Sequence, residues 1–158
     1  MSEDARFEDG DEKPLRLQAL DADDLGVIAA LVQDAVFPIT AMTFQRKKRR
    51  FALLLNRFRW EDVPRAERHG KKFERVQSML VINDVANVVT QGIDRSDSDT
   101  ICAVLTLAFT PSEDGQGRLE LTLAGDGAIA LDVECLDVTL SDVTRPYLAP
   151  SGYSPAHE

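Results

Sequence analysis

The sequence is poor in the residues that build most active sites and metal centres. Its 158 residues include two histidines, two cysteines and one tryptophan. His69 and His157 lie far apart, and their spacing fits neither a catalytic arrangement nor a metal-binding motif. The glycines are scattered, and no glycine-rich loop leads into a helix as a phosphate-binding loop does. We therefore predict no catalytic residue, no metal ion and no cofactor.

Long hydrophobic runs are also missing. No stretch approaches the roughly 18 consecutive apolar residues of a membrane span. Residues 1–12 are acidic, whereas a signal peptide begins with basic residues and continues with an apolar run. We therefore expect a cytoplasmic protein. In a reducing cytosol, Cys102 and Cys135 are expected to be free thiols that pack as small apolar groups.

Cations are scarce overall but concentrated in one part of the chain. The formal net charge is −9, yet residues 46–75 contain twelve of the 18 Lys and Arg residues and only four acids, a charge of +8. The rest of the chain has six cations and 23 acids, a charge of −17. Such segregation raises the local potential and attracts charged partners. This basic window is the strongest functional indication in the sequence.

Hydrophobic periodicity predicts one helix and a series of strands. Residues 15–19 alternate like a short strand, and Asp21 is placed to cap an amphipathic helix over residues 22–35. Further strand patterns cover residues 36–45, 51–60, 73–82, 85–93, 101–109, 119–123 and 129–133. Parallel strands need crossover helices, and the sequence predicts only one convincing helix, so the pairing should be mainly antiparallel.

The predicted fold is α+β, with about seven mainly antiparallel strands in a bent sheet or partly open barrel and one amphipathic helix near the N-terminus. Residues 14–145 are expected to form a single domain. Residues 1–13 are interpreted as a disordered acidic tail, and residues 146–158 as a loosely ordered C-terminal tail.

Three segments are predicted to connect paired antiparallel strands. They are the cations at residues 46–50, the polar residues 83–84, and residues 125–127, which tolerate positive φ. At the last hairpin the alternation pairs Leu121 with Leu131 and places Glu120 opposite Asp132. This like-charge pair is repulsive unless a cation neutralises it. Arg118 or the basic window serves that purpose more simply than a metal ion.

Two groups of cations are candidates for binding a partner. The run at residues 46–50 can donate charge-assisted hydrogen bonds to phosphates, acidic lipids or an acidic protein. The second group interleaves arginine with Phe58 and Trp60, an arrangement that can stack nucleic-acid bases. A solvated hairpin tip, an internal counter-charge for the acidic segments, and a core strand emerging into solvent are competing interpretations. The candidate binding residues are Arg46, Lys47, Lys48, Arg49, Arg50, Arg57, Arg59 and Trp60.

Several short segments together resemble an uncharacterised bacterial family. They are LQALDADDL (17–25), QDAV (33–36), RRFALLLNRFRWE (49–61), FERV (73–76), GID (92–94) and AGDG (124–127). The family is catalogued as domain of unknown function 2948 and occurs mainly in alphaproteobacteria, and the similarity covers about residues 15–142. The resemblance implies a small, single-domain cytoplasmic bacterial protein. It implies no activity, cofactor or catalytic residue.

We interpret the chain as a binding or adaptor module whose basic surface engages an acidic protein or another polyanion. The alternative is an enzyme or small-ligand-binding protein with a pocket between the helix and the sheet. A weaker alternative is RNA binding through Phe58 and Trp60.

Overall fold

A computed structural model of the protein describes residues 14–59, 74–94, 96–144 and 147–148. Within these ranges it has one α-helix, α1 (Ala22–Val32), and an eleven-stranded sheet. The strands are β1 (Arg16–Ala19), β2 (Val36–Pro38), β3 (Met42–Gln45), β4 (Arg50–Phe58), β5 (Glu74–Ile82), β6 (Val85–Gln91), β7 (Ile101–Pro111), β8 (Gly117–Leu123), β9 (Ala128–Val133), β10 (Val138–Asp142) and β11 (Tyr147–Leu148). The predicted tails lie outside the described residues, apart from β11.

Among the described residues, the sheet is open and its strand pairs are antiparallel. Its order is β1-β10-β5-β4-β2-β7-β8-β9-β6, with β3 also paired to β4 and β11 to β5. The short strand β2 joins one half of the sheet (β1, β10, β5 and β4) to the other half (β7, β8, β9 and β6). It does so because Val36 pairs with Asn56 of β4 and with Ala103 of β7. A mostly antiparallel sheet with one helix is confirmed. Within the described ranges, however, the sheet is not closed into a barrel, and it has more strands than the predicted seven.

Short strands account for the difference in number. The segment predicted as one strand over residues 36–45 is divided into β2 and β3 by a 3₁₀ turn at Ile39–Ala41. Strands of three to five residues, such as β2 and β10, are too short for periodicity to separate reliably from loops.

Helix α1 and both halves of the sheet enclose one hydrophobic core. The side chain of Asp21 caps the helix by accepting a hydrogen bond of 2.8 Å from the Asp24 N–H, as predicted. The helix ends at Val32 instead of extending to residue 35, and Asp34 follows with a φ of 65°. Apolar residues of the helix, Leu25, Ile28, Leu31 and Val32, are buried in the same cluster as the core residues of β4, β5 and β7–β10.

The predicted hairpin at residues 83–84 is wrong, although the turn itself exists. Strand β5 pairs with β4 and β10, whereas β6 pairs with β9 at the far end of the sheet order. Asp84 adopts a φ of 57°, so the local conformation is that of a turn. The chain passes here from one half of the sheet to the other. The N–H groups of Asn83 and Val85 bond across the crossing, to the carbonyls of Asp137 (3.0 Å) and Arg49 (2.8 Å).

The β8–β9 hairpin has the predicted apolar face but a register shifted by two residues. Its loop closes with a 2.8 Å hydrogen bond from the Leu123 N–H to the Gly127 carbonyl, and Leu119 pairs with Leu131. The three-residue loop is therefore 124–126, with positive φ at Gly125 and Asp126. Because side chains alternate with a period of two, this shift keeps the leucines on the core face.

The shifted register changes the charged pairs on the outer face of the hairpin. Asp132 lies opposite Arg118, and Glu120 lies opposite Ala130. The predicted repulsive pair of Glu120 and Asp132 is therefore wrong.

Candidate functional site

The five consecutive cations form the connection between β3 and β4, and we call residues 46–50 the basic tip. The flanking residues Gln45 and Arg50 are paired, which confirms the predicted antiparallel connection. A 3₁₀ turn covers Arg46–Lys48, and Arg49 takes a left-handed conformation with a φ of 54°. All five side chains are exposed.

Part of the basic tip is held by the rest of the fold. The Arg46 guanidinium lies 5.4 Å from the centre of the Phe44 ring, a distance at which cation–π attraction is effective. The Nε of Arg50 donates a hydrogen bond of 3.2 Å to Oδ1 of Asn83. Arg49 forms an ion pair with Glu134, and both side chains are about half exposed.

Lys47 and Lys48 differ from these three arginines. Within the described ranges, neither lysine forms an ion pair or a side-chain hydrogen bond. Both ammonium groups therefore remain exposed and available to an external anion.

An open cleft of about 630 Å³ adjoins the basic tip on the outer face of the sheet. It extends from the β7–β8 loop across the ends of β8 and β9 to Arg49 and Ala86. Arg118 and Asp132 on its wall are paired, with 2.9 Å between Nε and Oδ1. The hydrogen bond from Arg118 lowers the pKa of Asp132 and raises the pKa of Arg118 itself. This cleft is not the pocket between helix and sheet that the sequence suggested as an alternative.

Arg57 and Arg59 do not share a surface with the basic tip. Arg57 follows Arg50 by seven positions of extended strand, a distance of roughly 23 Å. Their side chains are 0% and 5% exposed, so neither can contact a partner while the strand end stays folded. Arg59 Nη1 lies 2.6 Å from Oε1 of Glu74. Trp60 lies outside the described residues.

Arg57 is the centre of a buried polar network. Its Nη2 donates to both carboxylate oxygens of Asp142, at 2.9 and 3.2 Å, and its Nε donates to Ser78 Oγ at 2.9 Å. Ser78 in turn donates to Asp142 Oδ1 at 2.6 Å, and the Leu15 N–H donates to Oδ2 at 2.8 Å. The network therefore ties the segment before β1 to β4, β5 and β10, and it satisfies a carboxylate that is 4% exposed.

The alternation of β4 carries a signal for this burial. Phe51, Leu53 and Leu55 occupy the core face, and Arg57 follows at the same period of two. The carboxylate partner lies 85 positions further along the chain. No local pattern identifies such a distant residue.

Phe58 is also unavailable as a stacking platform. Its side chain is 1% exposed, and the Arg75 guanidinium lies 3.9 Å from the centre of its ring. Stacking a base on Phe58 would require Arg75 to be displaced first.

Cysteine and acidic side chains are the other groups that could carry chemistry. Among the described residues, no three His, Cys, Asp or Glu side chains cluster closely enough to hold a metal ion. Both cysteines are free. Burial raises the pKa of the Cys102 thiol, and a hydrogen bond to Asp84, with 3.0 Å between Sγ and Oδ2, raises the pKa of the exposed Cys135.

Comparison with known proteins identifies the family of the chain but not its activity. Searches of curated proteins and of solved structures find no match. No helix in the described part of the chain is long and apolar enough to cross a membrane. One family model matches residues 15–157, which is nearly the whole chain. The chain therefore belongs to the family described as "Protein of unknown function (DUF2948)".

Proposed function

We propose that this protein is a cytoplasmic binding or adaptor module that engages an acidic protein, or another polyanion, through the basic tip. The observation that carries the proposal is the exposure of Lys47 and Lys48. They project from a turn in a chain whose charge outside residues 46–75 is −17. Exposed ammonium groups attract an anion without first breaking an internal ion pair.

The geometry supports a smaller binding surface than the sequence alone suggested. Arg46, Lys47 and Lys48 are the primary contacts, while Arg49 and Arg50 position the tip through Glu134 and Asn83. In its ion pair with Glu134, Arg49 neutralises an acidic side chain of the same chain, and this internal counter-charge role is the interpretation that competes with docking. The two lysines carry the proposal because that role does not account for them.

The other functions have less support from the described residues. The face that α1 turns towards the sheet is occupied by its own buried apolar residues, and the cleft lies on the outer face. Phe58, which the RNA-binding alternative requires, is buried beneath Arg75.

The test is the binding of a fluorescein-labelled oligoglutamate peptide, measured by fluorescence anisotropy. Lys47→Glu is compared with Arg16→Glu, which changes the net charge equally but lies on the exposed part of β1. Replacing an exposed attractive contact by a repulsive one costs about 1 kcal/mol, so Lys47→Glu should weaken binding about fivefold. Arg16→Glu should have less than about a twofold effect, because charges beyond a Debye length are screened.

Salt dependence provides the second readout. Raising the ionic strength from about 0.01 to 0.15 M shortens the Debye length from about 30 to 8 Å and should weaken binding steeply. Equal effects of the two substitutions, or binding that is insensitive to salt, would show that the basic tip is not the binding surface.

A further inference from the structure

We propose that β6 is a docking edge for an extended acidic polypeptide segment, which adds to the sheet as a further strand with its acidic end against the basic tip. This inference rests on the proposed function and specifies the mode of binding and the kind of partner.

Strand β6 has the properties of an edge that accepts another strand. It is the last strand of the sheet order, and among the described residues it pairs only with β9. Its seven residues, VANVVTQ, contain no charge and no proline, and Val89 is 47% exposed. Proteins commonly protect an edge strand with charge, proline, extreme shortness or a β-bulge. Strand β6 has only the last of these, an irregularity between Val85 and Asn87, and its register is regular from Asn87 to Gln91.

The opposite end of the sheet is protected in the expected way. Strand β1 has only four residues, and two of them, Arg16 and Gln18, are exposed and polar. Helix α1 also packs beside it. Of the two ends of the sheet order, β6 is therefore the less protected.

The start of the β6 edge is already in contact with the basic tip. The Asp84 carbonyl accepts a hydrogen bond from the Glu134 N–H, whereas the N–H of the next residue, Val85, donates to the Arg49 carbonyl at 2.8 Å. Successive residues of a strand direct their backbone groups to opposite sides. Arg49 therefore occupies the outward side of the first residue of β6, and an added strand would extend from this point towards Gln91.

This arrangement determines the polarity of the incoming segment. An antiparallel strand would run from Gln91 towards Val85, so its C-terminal end would lie nearest the basic tip, which contacts Val85 through the Arg49 carbonyl. The edge itself is uncharged, so carboxylates are favoured only at that end. The recognised segment is therefore an uncharged β-forming stretch followed by acidic residues.

Charge complementarity favours such a segment over a second copy of this chain. Two copies would each bring a net charge of −9. Antiparallel pairing of two β6 strands would also place each basic tip beside the uncharged Gln91 end of the other copy. Both tips would remain without a counter-charge.

The experiment uses synthetic peptides with seven alternating valine and threonine residues and three glutamates. One peptide carries the glutamates at its C-terminus, and a matched peptide carries them at its N-terminus. Two further versions of the first peptide are N-methylated at alternate residues, one at the odd and one at the even positions. N-methylation removes backbone donors without changing charge, and only one of the two sets faces β6.

We expect the peptide with C-terminal glutamates to bind best in anisotropy measurements. One N-methylated version should lose at least about tenfold in affinity, because it lacks several backbone hydrogen bonds, and the other should bind like the parent. The peptide with N-terminal glutamates should also be weaker. In hydrogen–deuterium exchange, the parent peptide should slow the exchange of β6 amides.

Other outcomes overturn the inference in distinguishable ways. If both N-methylated peptides bind like the parent and β6 exchange is unchanged, edge docking is wrong, but the proposed function stands wherever Lys47→Glu still weakens binding. If Lys47→Glu has no effect on a peptide that does protect β6, the edge binds strands and the proposed function fails. If the β6 amides are protected from hydrogen exchange without peptide, and increasingly so at higher protein concentration, the occupant of the edge is a second copy.

Discussion

Replacing Asp142 by asparagine is expected to lower the free energy of unfolding by about 3 kcal/mol. The change keeps the size of the side chain but removes its charge and one of its two acceptor oxygens. Those oxygens accept hydrogen bonds from Arg57, Ser78 and the Leu15 N–H. In Asp142→Asn, the NH2 of the new amide must face at least one of these hydrogen-bond donors, and two donors cannot bond to each other. The buried guanidinium also loses the countercharge of Asp142.

The magnitude follows from burial. The side chains of Arg57 and Asp142 are 0% and 4% exposed, so water cannot replace the lost partner. Breaking a buried ion pair by removing one member costs about 3–5 kcal/mol. The lower end applies here, because asparagine retains one acceptor and Arg57 Nη1 keeps its 2.9 Å hydrogen bond to the Phe58 carbonyl.

The chain offers a matched control in Asp132→Asn. This substitution makes the same chemical change in an Arg–Asp pair whose N–O distance is also 2.9 Å, but whose side chains are 53% and 40% exposed. An exposed pair contributes at most about 1 kcal/mol, so the control should be nearly neutral. Urea denaturation followed by circular dichroism measures both values, and the slope of the transition should stay unchanged.

A double-mutant cycle completes the test. Arg57→Leu combined with Asp142→Leu should destabilise the protein by less than the sum of the single substitutions, because the double variant leaves no unpaired charge in this pair. The reasoning is refuted if Asp142→Asn and Asp132→Asn differ by less than about 0.5 kcal/mol, or if the two leucine substitutions are additive within that margin.

Two further predictions concern titratable groups on the surface. By NMR, Asp132 should titrate below its ordinary pKa of 3.8, and Arg118→Gln should raise the pKa. Its small stabilising contribution is present above the unfolded-state pKa and is lost as the pH falls through the lowered folded-state pKa. Alkylation of Cys135 by iodoacetamide near about pH 8 should accelerate in Asp84→Asn, because losing the hydrogen bond to Asp84 lowers the pKa of the thiol. Cys102, whose pKa is raised by burial, should stay slow; equal acceleration of both thiols would contradict this assignment.

Much of the local structure was predictable from short-range patterns. The Asp21 cap, the start of α1 and the apolar face of the β8–β9 hairpin depend on residues only a few positions apart. The hairpin register was not predicted correctly, because loops closed at 124–126 or at 125–127 place the same leucines on the core face. Alternation identifies the face of a strand, but it does not distinguish registers that differ by two residues.

Pairing between distant strands was harder to predict from the sequence. The turn residues at 83–84 suggested a hairpin, yet the stable partner of β6 is β9, more than thirty residues further along the chain. A turn sequence specifies a local backbone conformation. Which strands then pair depends on where their apolar faces can be buried together.

The candidate site likewise has features that the sequence predicts and features that it does not. The run of cations and its position at the β3–β4 connection were predicted from composition and flanking strand patterns. The difference between the exposed Lys47 and the buried Arg57 was not, although both are cations of the same basic window.

The sequence by itself therefore determined the helix, most of the strand faces and the location of the basic run, because these depend on side-chain chemistry over a few neighbouring positions. Only the tertiary structure decided that β6 is the last strand of the sheet among the described residues and lies beside the basic tip, and that Arg57 belongs to the interior. The carboxylate that makes this burial tolerable is Asp142, which is 85 residues away in sequence. A charged side chain is tolerated in a protein core only where a partner of opposite charge lies within hydrogen-bonding distance. The whole fold determines where that happens.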